Sequence, residues 1–251
     1  MGNFYTDNQQ RIVTGLMLIV GFAVVAVIDN QFLNWLVLGV AYIFSFHEAM
    51  KLFKVEGNYL YATAIILWIL AYFYPNPYDL IFLILIFFAS IIAYNRSLEF
   101  KVLYPFLYPT VSFLFLLELA NQEMSLLVWL IAIVALTDTG AYFVGKSIGQ
   151  TQFSPTSPKK TLEGVVGGVL IATIAGAFIG YINTTFLIAF VLSFAVAVAS
   201  IFGDLFESYL KREAGVKDSG DVLPGHGGVL DRMDGYMFGG VVLVVLFRSF
   251  A

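Results

Sequence analysis

The sequence predicts an all-α, polytopic integral membrane protein of about nine transmembrane helices, with a cytoplasmic N-terminus and an outside C-terminus. Three observations carry that prediction. The 251 residues are 60% apolar and only 12% charged, whereas a water-soluble domain carries about 25% charged residues. The apolar residues fall in runs near the length needed to cross the hydrocarbon core, about 17–25 residues per helix. The basic residues gather in alternate connections, as they do in cytoplasmic loops beside span ends. A net charge of −4 offers no basic field for nucleic acid. With no cysteine, a disulfide, a thiolate metal site and a Cys nucleophile are all excluded.

In chain order the runs are Ile12–Ile28, Phe32–Phe46, Tyr59–Tyr74, Leu80–Tyr94, Val102–Ala120, Met124–Val144, Gly164–Ile182, Thr185–Phe202 and Tyr236–Phe250. The shortest extend by a turn into flanking polar residues or sit where packed helices thin the membrane. Asp29–Gln31, Pro75–Asp79, Asn121–Glu123 and Asn183–Thr184 are tight turns between them. The first run could also be a secretory signal, but its leader holds one Arg and one Asp and no small-x-small cleavage site follows. Counting along the nine spans, Arg11, Lys51, Lys54, Arg96, Lys101, Lys146, Lys159, Lys160, Lys211, Arg212, Lys217 and Arg232 all face one side, and only Arg248 lies opposite. That side is expected to be the cytoplasm, and both long polar connections, Gly145–Glu163 and Gly203–Gly235, lie there. Residues 1–123 (spans 1–5) are expected to form a scaffold with oligomer or lipid contacts, and residues 124–251 the catalytic membrane region with cytoplasmic loops 145–163 and 203–235.

Of the 30 charged residues, 16 lie between Asp138 and Asp234 and 11 of those between Asp204 and Asp234, so the polar chemistry is concentrated near the C-terminus. Asp138 sits toward the cytoplasmic end of an apolar span, where an ionisable group is a functional candidate; the alternative is a carboxylate that reaches interfacial water or pairs with a lysine. Two Ser-Pro pairs, at Ser154 and Ser157, force extended backbone. Lys159, Lys160 and Thr161 follow at the start of the next helix, an arrangement suited to a phosphate or, more simply, to anionic lipid.

Further on, Asp204, Ser208 and Lys211 share one helical stripe with Glu207 beside them. Asp231 and Asp234, one turn apart at the mouth of the last span, can converge with Asp204 on a hard cation. Oxygen-only ligands favour Mg²⁺ over zinc, with water and substrate phosphate completing its shell. Between them, Pro224-Gly-His-Gly-Gly228 allows consecutive N–H groups to form an anion nest to which His226 adds a donor, flanked by Lys217, Asp218 and Arg232. These residues predict a cytosol-facing, Mg²⁺-dependent site for phosphate groups at the bilayer surface.

The run Ser208-Tyr-Leu-Lys-Arg212, then Lys217-Asp-Ser-Gly220, then Leu223-Pro-Gly-His-Gly-Gly-Val-Leu-Asp-Arg-Met-Asp234 resembles the signature of phosphatidate cytidylyltransferases, or CDP-diacylglycerol synthases. Asp138-Thr-Gly-Ala-Tyr142 and Ser157-Pro-Lys-Lys-Thr-Leu-Glu-Gly164 are similar to the same family, extending the likeness over roughly the C-terminal half. Gln150 departs from it, standing where the family often repeats Gly-Lys. The resemblance implies transfer of the cytidylyl group from CTP to phosphatidic acid in bilayer lipid, giving CDP-diacylglycerol and pyrophosphate. It implies Asp204 and Asp231 as metal ligands with Asp234 close behind, and Mg²⁺ with a second, monovalent cation, K⁺, to which Asp138 or Asp218 would contribute. Lys211, Arg212, Gly227 and Gly228 would neutralise phosphates, and His226 would position substrate, with general-acid help to pyrophosphate as a lesser role. Lys159 and Lys160 would hold the far end of the triphosphate or the lipid headgroup. A homodimer in the inner (plasma) membrane is also implied.

A CTP- or ATP-dependent kinase of a polyprenol-type alcohol needs the same cradle but also a base for its hydroxyl nucleophile. A CDP-alcohol phosphotransferase requires Gly-x-x-Ala-Arg and two later Asp residues, which do not follow Asp234. A transporter built around Asp138 predicts internal repeats and charges at mid-bilayer depth, whereas the charges here gather at one surface.

Overall fold

The computed structural model describes residues 2–95, 98–225 and 227–250, with side chains from residue 13 on. The Arg11 side chain, Arg96 and His226 lie outside the described residues. Among the described residues, nine α-helices lie along the apolar runs: α1 (Gly2–Ile28), α2 (Gln31–Leu52), α3 (Asn58–Phe73), α4 (Leu80–Tyr94), α5 (Val111–Gln122), α6 (Met124–Ile148), α7 (Leu162–Gly180), α8 (Phe186–Ala214) and α9 (Leu230–Phe250). Among the described residues, seven helical segments are long and apolar enough to cross a membrane, while Val13–Ile28 and Asn58–Phe73 are shorter apolar helices. Leu16, Met17, Ile19, Phe82, Phe178 and Leu187 are all more than half exposed. Lipid, not water, is the solvent that accommodates so much apolar surface, and the chain is a multi-pass membrane protein.

Two local departures from the expected helices have clear causes. Val102–Ala120 is not one helix: a 3₁₀ turn at Phe100–Leu103 and a wide turn at Phe106–Thr110 precede α5. Pro105 and Pro109 remove backbone donors there, and Tyr108, just before Pro109, leaves the helical region with φ −147° and ψ 110°. The fold is also not wholly α. In the connection after α6, β1 (Gln152–Ser154) and β2 (Ser157–Thr161) pair antiparallel, with Gln152 opposite Thr161 and Ser154 opposite Ser157. The Ser-Pro pairs supply the extended backbone that this hairpin uses.

The chain divides into two compact units, Met1–Glu118 with Ala214–Arg232, and Leu119–Glu213 with Met233–Ala251. In the first, an aromatic core forms where Tyr42 stacks on Trp68 at 5.0 Å and Phe46 meets Phe106 at 5.1 Å. Trp35 Nε1 donates to the Trp68 carbonyl at 2.8 Å and Trp68 Nε1 to the Trp35 carbonyl at 3.1 Å, so both indoles are satisfied. In the second, α6 and α7 approach closely through glycines. A Cβ at Gly140 would lie 3.0 Å from the Gly168 Cα, and one at Gly168 would collide with the Thr137 carbonyl. The fully buried Trp129 donates to the Gly176 carbonyl at 2.8 Å and to Ser193 Oγ at 3.2 Å.

Candidate functional site

The second unit gathers four carboxylates, Asp138 on α6, Asp204 and Glu207 on α8 and Asp234 on α9, with Lys211 on α8 and Lys160 on β2. Asp204, Glu207, Ser208 and Lys211 lie along the last turns of α8, as their spacing predicts. Ser208 Oγ donates to Asp204 Oδ1 at 3.3 Å, and Lys211 Nζ stands 3.3 Å from Glu207 Oε1 on the next turn. Glu207 is fully buried, so this lysine neutralises a charge removed from water. Asp234, on the second turn of α9, lies in electrostatic range of Asp204, Asp138 and Glu207. Gly203 allows this approach, since a Cβ there would collide with the Asp234 carbonyl.

Strand β2 splits the Lys159–Lys160 pair. Side chains alternate faces along a strand, so Lys160 turns in and its Nζ reaches Asp204 Oδ2 at 2.5 Å, while Lys159 is exposed. Thr161 caps α7: its Oγ1 accepts from the Gly164 N–H at 3.2 Å. Glu163, in the first turn, accepts from the Gln150 and Thr151 N–H groups at 3.1 and 3.2 Å and ties the hairpin to the helix. The Thr161 hydroxyl thus takes one donor at this helix start, the Gly164 N–H, that the sequence reading offered to a phosphate.

The first unit holds the loop between α8 and α9. A cavity of about 610 Å³ opens there, lined by Lys217, Asp218, Asp221, Gly225, Gly227 and Arg232 among others. Gly225 and Gly227 have φ +74° and +81°, values that L side chains rarely adopt, and Leu223 N–H donates to the Gly227 carbonyl at 2.9 Å to close the turn. Asp231 Oδ2 accepts from the Ser219 N–H and Oγ, both at 2.9 Å, and from the Gly228 N–H at 2.8 Å. The Gly228 donor is thus committed to Asp231 and not directed at an anion. Arg212 is exposed at the end of α8.

Sequence reasoning missed Glu48. This α2 residue is 1% exposed, and its carboxylate accepts from Ser219 Oγ at 3.0 Å, Val229 N–H at 3.0 Å and Leu230 N–H at 2.8 Å. The available signal was an ionisable residue just beyond the end of an apolar run. Its closeness to His47 and Lys51 made it look like an ordinary interfacial charge.

Among the described residues, no three His, Asp or Glu side chains close into a cage for a metal ion. A hard divalent ion does not need one, because one or two carboxylates typically hold Mg²⁺ while water and substrate phosphate complete its shell. Asp204 and Asp234 meet that requirement with oxygen donors alone. Carboxylates beside lysines on α6, α8, α9 and β2 suit phosphate chemistry in which charge is handled by position.

The family model described as the cytidylyltransferase family matches residues 9–250. The chain is 43% identical over 243 residues to a Helicobacter pylori protein named phosphatidate cytidylyltransferase, covering 95% of this chain and 91% of that one. A protein of the same name from a second strain of that organism is 42% identical over the same shares. A Synechocystis protein of that name is 44% identical over 125 residues, 47% of this chain and 42% of its own length.

Proposed function

The chain belongs to the cytidylyltransferase family and is a nucleotidyltransferase, and on that footing we propose that it transfers the cytidylyl group of CTP to phosphatidic acid, releasing CDP-diacylglycerol and pyrophosphate. The observation that carries the proposal is the near full-length likeness to proteins named for that reaction, together with an uninterrupted Ser208–Asp234 signature.

In the proposed reaction a phosphate oxygen of the lipid forms a bond to the α-phosphorus of CTP, and the bond from that phosphorus to the β-bridging oxygen breaks. The nucleophile is already an anion near neutral pH, so no proton has to be removed from it. What remains is positioning and stabilisation of charge spread over phosphate oxygens. Lys217 and Arg232, which line the loop cavity, are proposed to receive the anionic nucleotide, with Arg212, exposed at the end of α8, as a further cation for its phosphates. Lys160 and Lys211 are proposed to take phosphate charge in the carboxylate cluster, with Lys159, exposed on the hairpin, available to the lipid headgroup. Asp204 and Asp234 would hold Mg²⁺, with Asp138 in electrostatic range and Asp231 one turn earlier on α9. Bound there, the ion would neutralise charge developing on the triphosphate. A monovalent second cation and a homodimer are carried over from the family resemblance.

We place the active site on the cytoplasmic face of the inner membrane, with the N-terminus cytoplasmic and nine spans. Supporting this is the segregation of 12 of the 13 basic residues to one side of that topology. A cysteine replacing Gln122 is expected to react with an impermeant thiol reagent from outside and one replacing Gln152 is not; the reverse pattern overturns the orientation. For the reaction, purified protein in detergent with phosphatidic acid and Mg²⁺ is expected to move label into lipid from α-labelled CTP and not from γ-labelled CTP. Transfer of the γ label would identify a lipid kinase, and absence of any labelled lipid would remove the proposal.

A further inference from the structure

Resting on that reading of the site, we propose that Glu48 is a positioning residue for the reaction: from the N-terminal half, its buried carboxylate fixes the loop that presents Lys217, Asp231 and Arg232. A carboxylate with 1% exposure is costly unless its oxygens are fully used. Its three donors all come from one loop, 171 to 182 residues further along the chain. Two of them, the Val229 and Leu230 N–H groups, open α9, where helix geometry leaves backbone donors without intrahelical acceptors. Helix α2 thus supplies the cap and the negative charge that the start of α9 would otherwise take from solvent or substrate.

The glycines of the loop support the same assignment. A Cβ at Gly220 would collide with Glu48 Oε1, and one at Gly228 would lie 2.5 Å from Oε2. Gly228 is not among the glycines with positive φ, so its backbone conformation does not require glycine; the space occupied by Glu48 does. Ser219 links this carboxylate to the signature. Its hydroxyl stands 3.0 Å from Glu48 Oε2 and 2.9 Å from Asp231 Oδ2, with one proton to give to either. The Gly228, Val229 and Leu230 N–H groups all end on protein carboxylates, while the Lys217 and Arg232 side chains line the cavity. Glu48 acts through the backbone that carries the cavity side chains.

Glu48→Gln keeps the size but replaces one acceptor oxygen with an amide donor, which must then face at least one N–H. A loop that is ordered only part of the time weakens apparent affinity in proportion to its ordered fraction. The expected result is a rise of about tenfold in KM for CTP, with kcat and KM for phosphatidic acid within about threefold of wild type. Hydrogen exchange at the Val229 and Leu230 amides of the substrate-free protein should accelerate by about tenfold, with Glu48→Asp recovering part of both effects. Unchanged KM for CTP and unchanged exchange would overturn the proposal. So would a fall in apparent kcat in step with the unfolded fraction with both KM values unchanged, which is what a merely structural residue gives. If Glu48→Gln does not yield folded protein, Ser219→Ala takes its place, with an expected rise of about threefold in KM for CTP; no rise overturns the proposal. The exchange measurement needs no turnover, so an inactive wild type would count against the proposed reaction and not against Glu48.

Discussion

Replacing Gly228 with alanine adds one methyl group at the most crowded point of the signature loop. The new Cβ would lie 2.5 Å from Glu48 Oε2 and 2.6 Å from its Cδ, and would run into Ser219 Oγ. Ordinary contact begins near 3.4 Å, so Glu48 would have to withdraw by nearly 1 Å. It has nowhere to go without breaking bonds, because its oxygens hold Ser219, Val229 and Leu230 and the Gly220 backbone closes the other side. Loss of one hydrogen bond to a charged group amounts to about 1.5–3 kcal/mol, and overpacking adds about 1–3 kcal/mol. The sum, about 3–6 kcal/mol, acts on the loop and corresponds to a fall of about 10²–10⁴ in kcat/KM for CTP. Gly215→Ala is the control: nothing lies within 4 Å of its Cβ, and only its φ of +77° is at issue, a strain of about 1–2 kcal/mol. Steady-state kinetics on the two variants in detergent makes the comparison. Gly228→Ala within tenfold of wild type, or Gly215→Ala damaged as severely, would refute the reasoning.

Lys160→Met removes the partner of Asp204. Because the two side chains keep 23% and 30% of their exposure, the pair contributes about 1 kcal/mol or less to stability. The thermal midpoint should hardly move while kcat/KM falls by about 10²-fold, and a large loss of thermal stability with full activity would contradict the proposed role. Trp129→Phe leaves the Gly176 carbonyl and Ser193 without their indole donor. This should lower stability by about 0.5–2 kcal/mol without altering turnover per folded molecule, as read by a detergent melting curve and by activity at a temperature well below it. Chelation of divalent ions should abolish cytidylyl transfer and added Mg²⁺ should restore it; full activity in chelator would remove Asp204 and Asp234 from the role of metal ligands.

The parts of the fold that depend on local chemistry were legible in the sequence. Among the described residues, apolar runs marked the seven segments long and apolar enough to span because lipid demands length and hydropathy, and scarcity of charge made Asp138, Asp204 and Asp234 conspicuous. The broken helix before α5 was encoded by Pro105 and Pro109, but the apolar residues around them masked the break. The ends of α2 and α8 run past their apolar stretches, since a helix continues into water as long as its donors and acceptors remain paired. Contacts made only by tertiary folding were not legible. Nothing in the spacing of Lys160 and Asp204 pairs them, because one lies on a strand and the other on a helix. Glu48 was hidden for the same reason: two of its three donors are backbone N–H groups, which leave no trace in residue identity. Gly220 and Gly228, the only marks it left, read equally well as phosphate-binding glycines.

The central claim, attack by the lipid phosphate on the α-phosphorus of CTP, is tested most directly with phosphatidic acid whose phosphate oxygens carry ¹⁸O. Mass spectrometry of both products should find every labelled oxygen retained in the liponucleotide, including the one bridging its two phosphorus atoms, and none in pyrophosphate. Label in pyrophosphate, or an unlabelled bridge in the liponucleotide, would contradict the account.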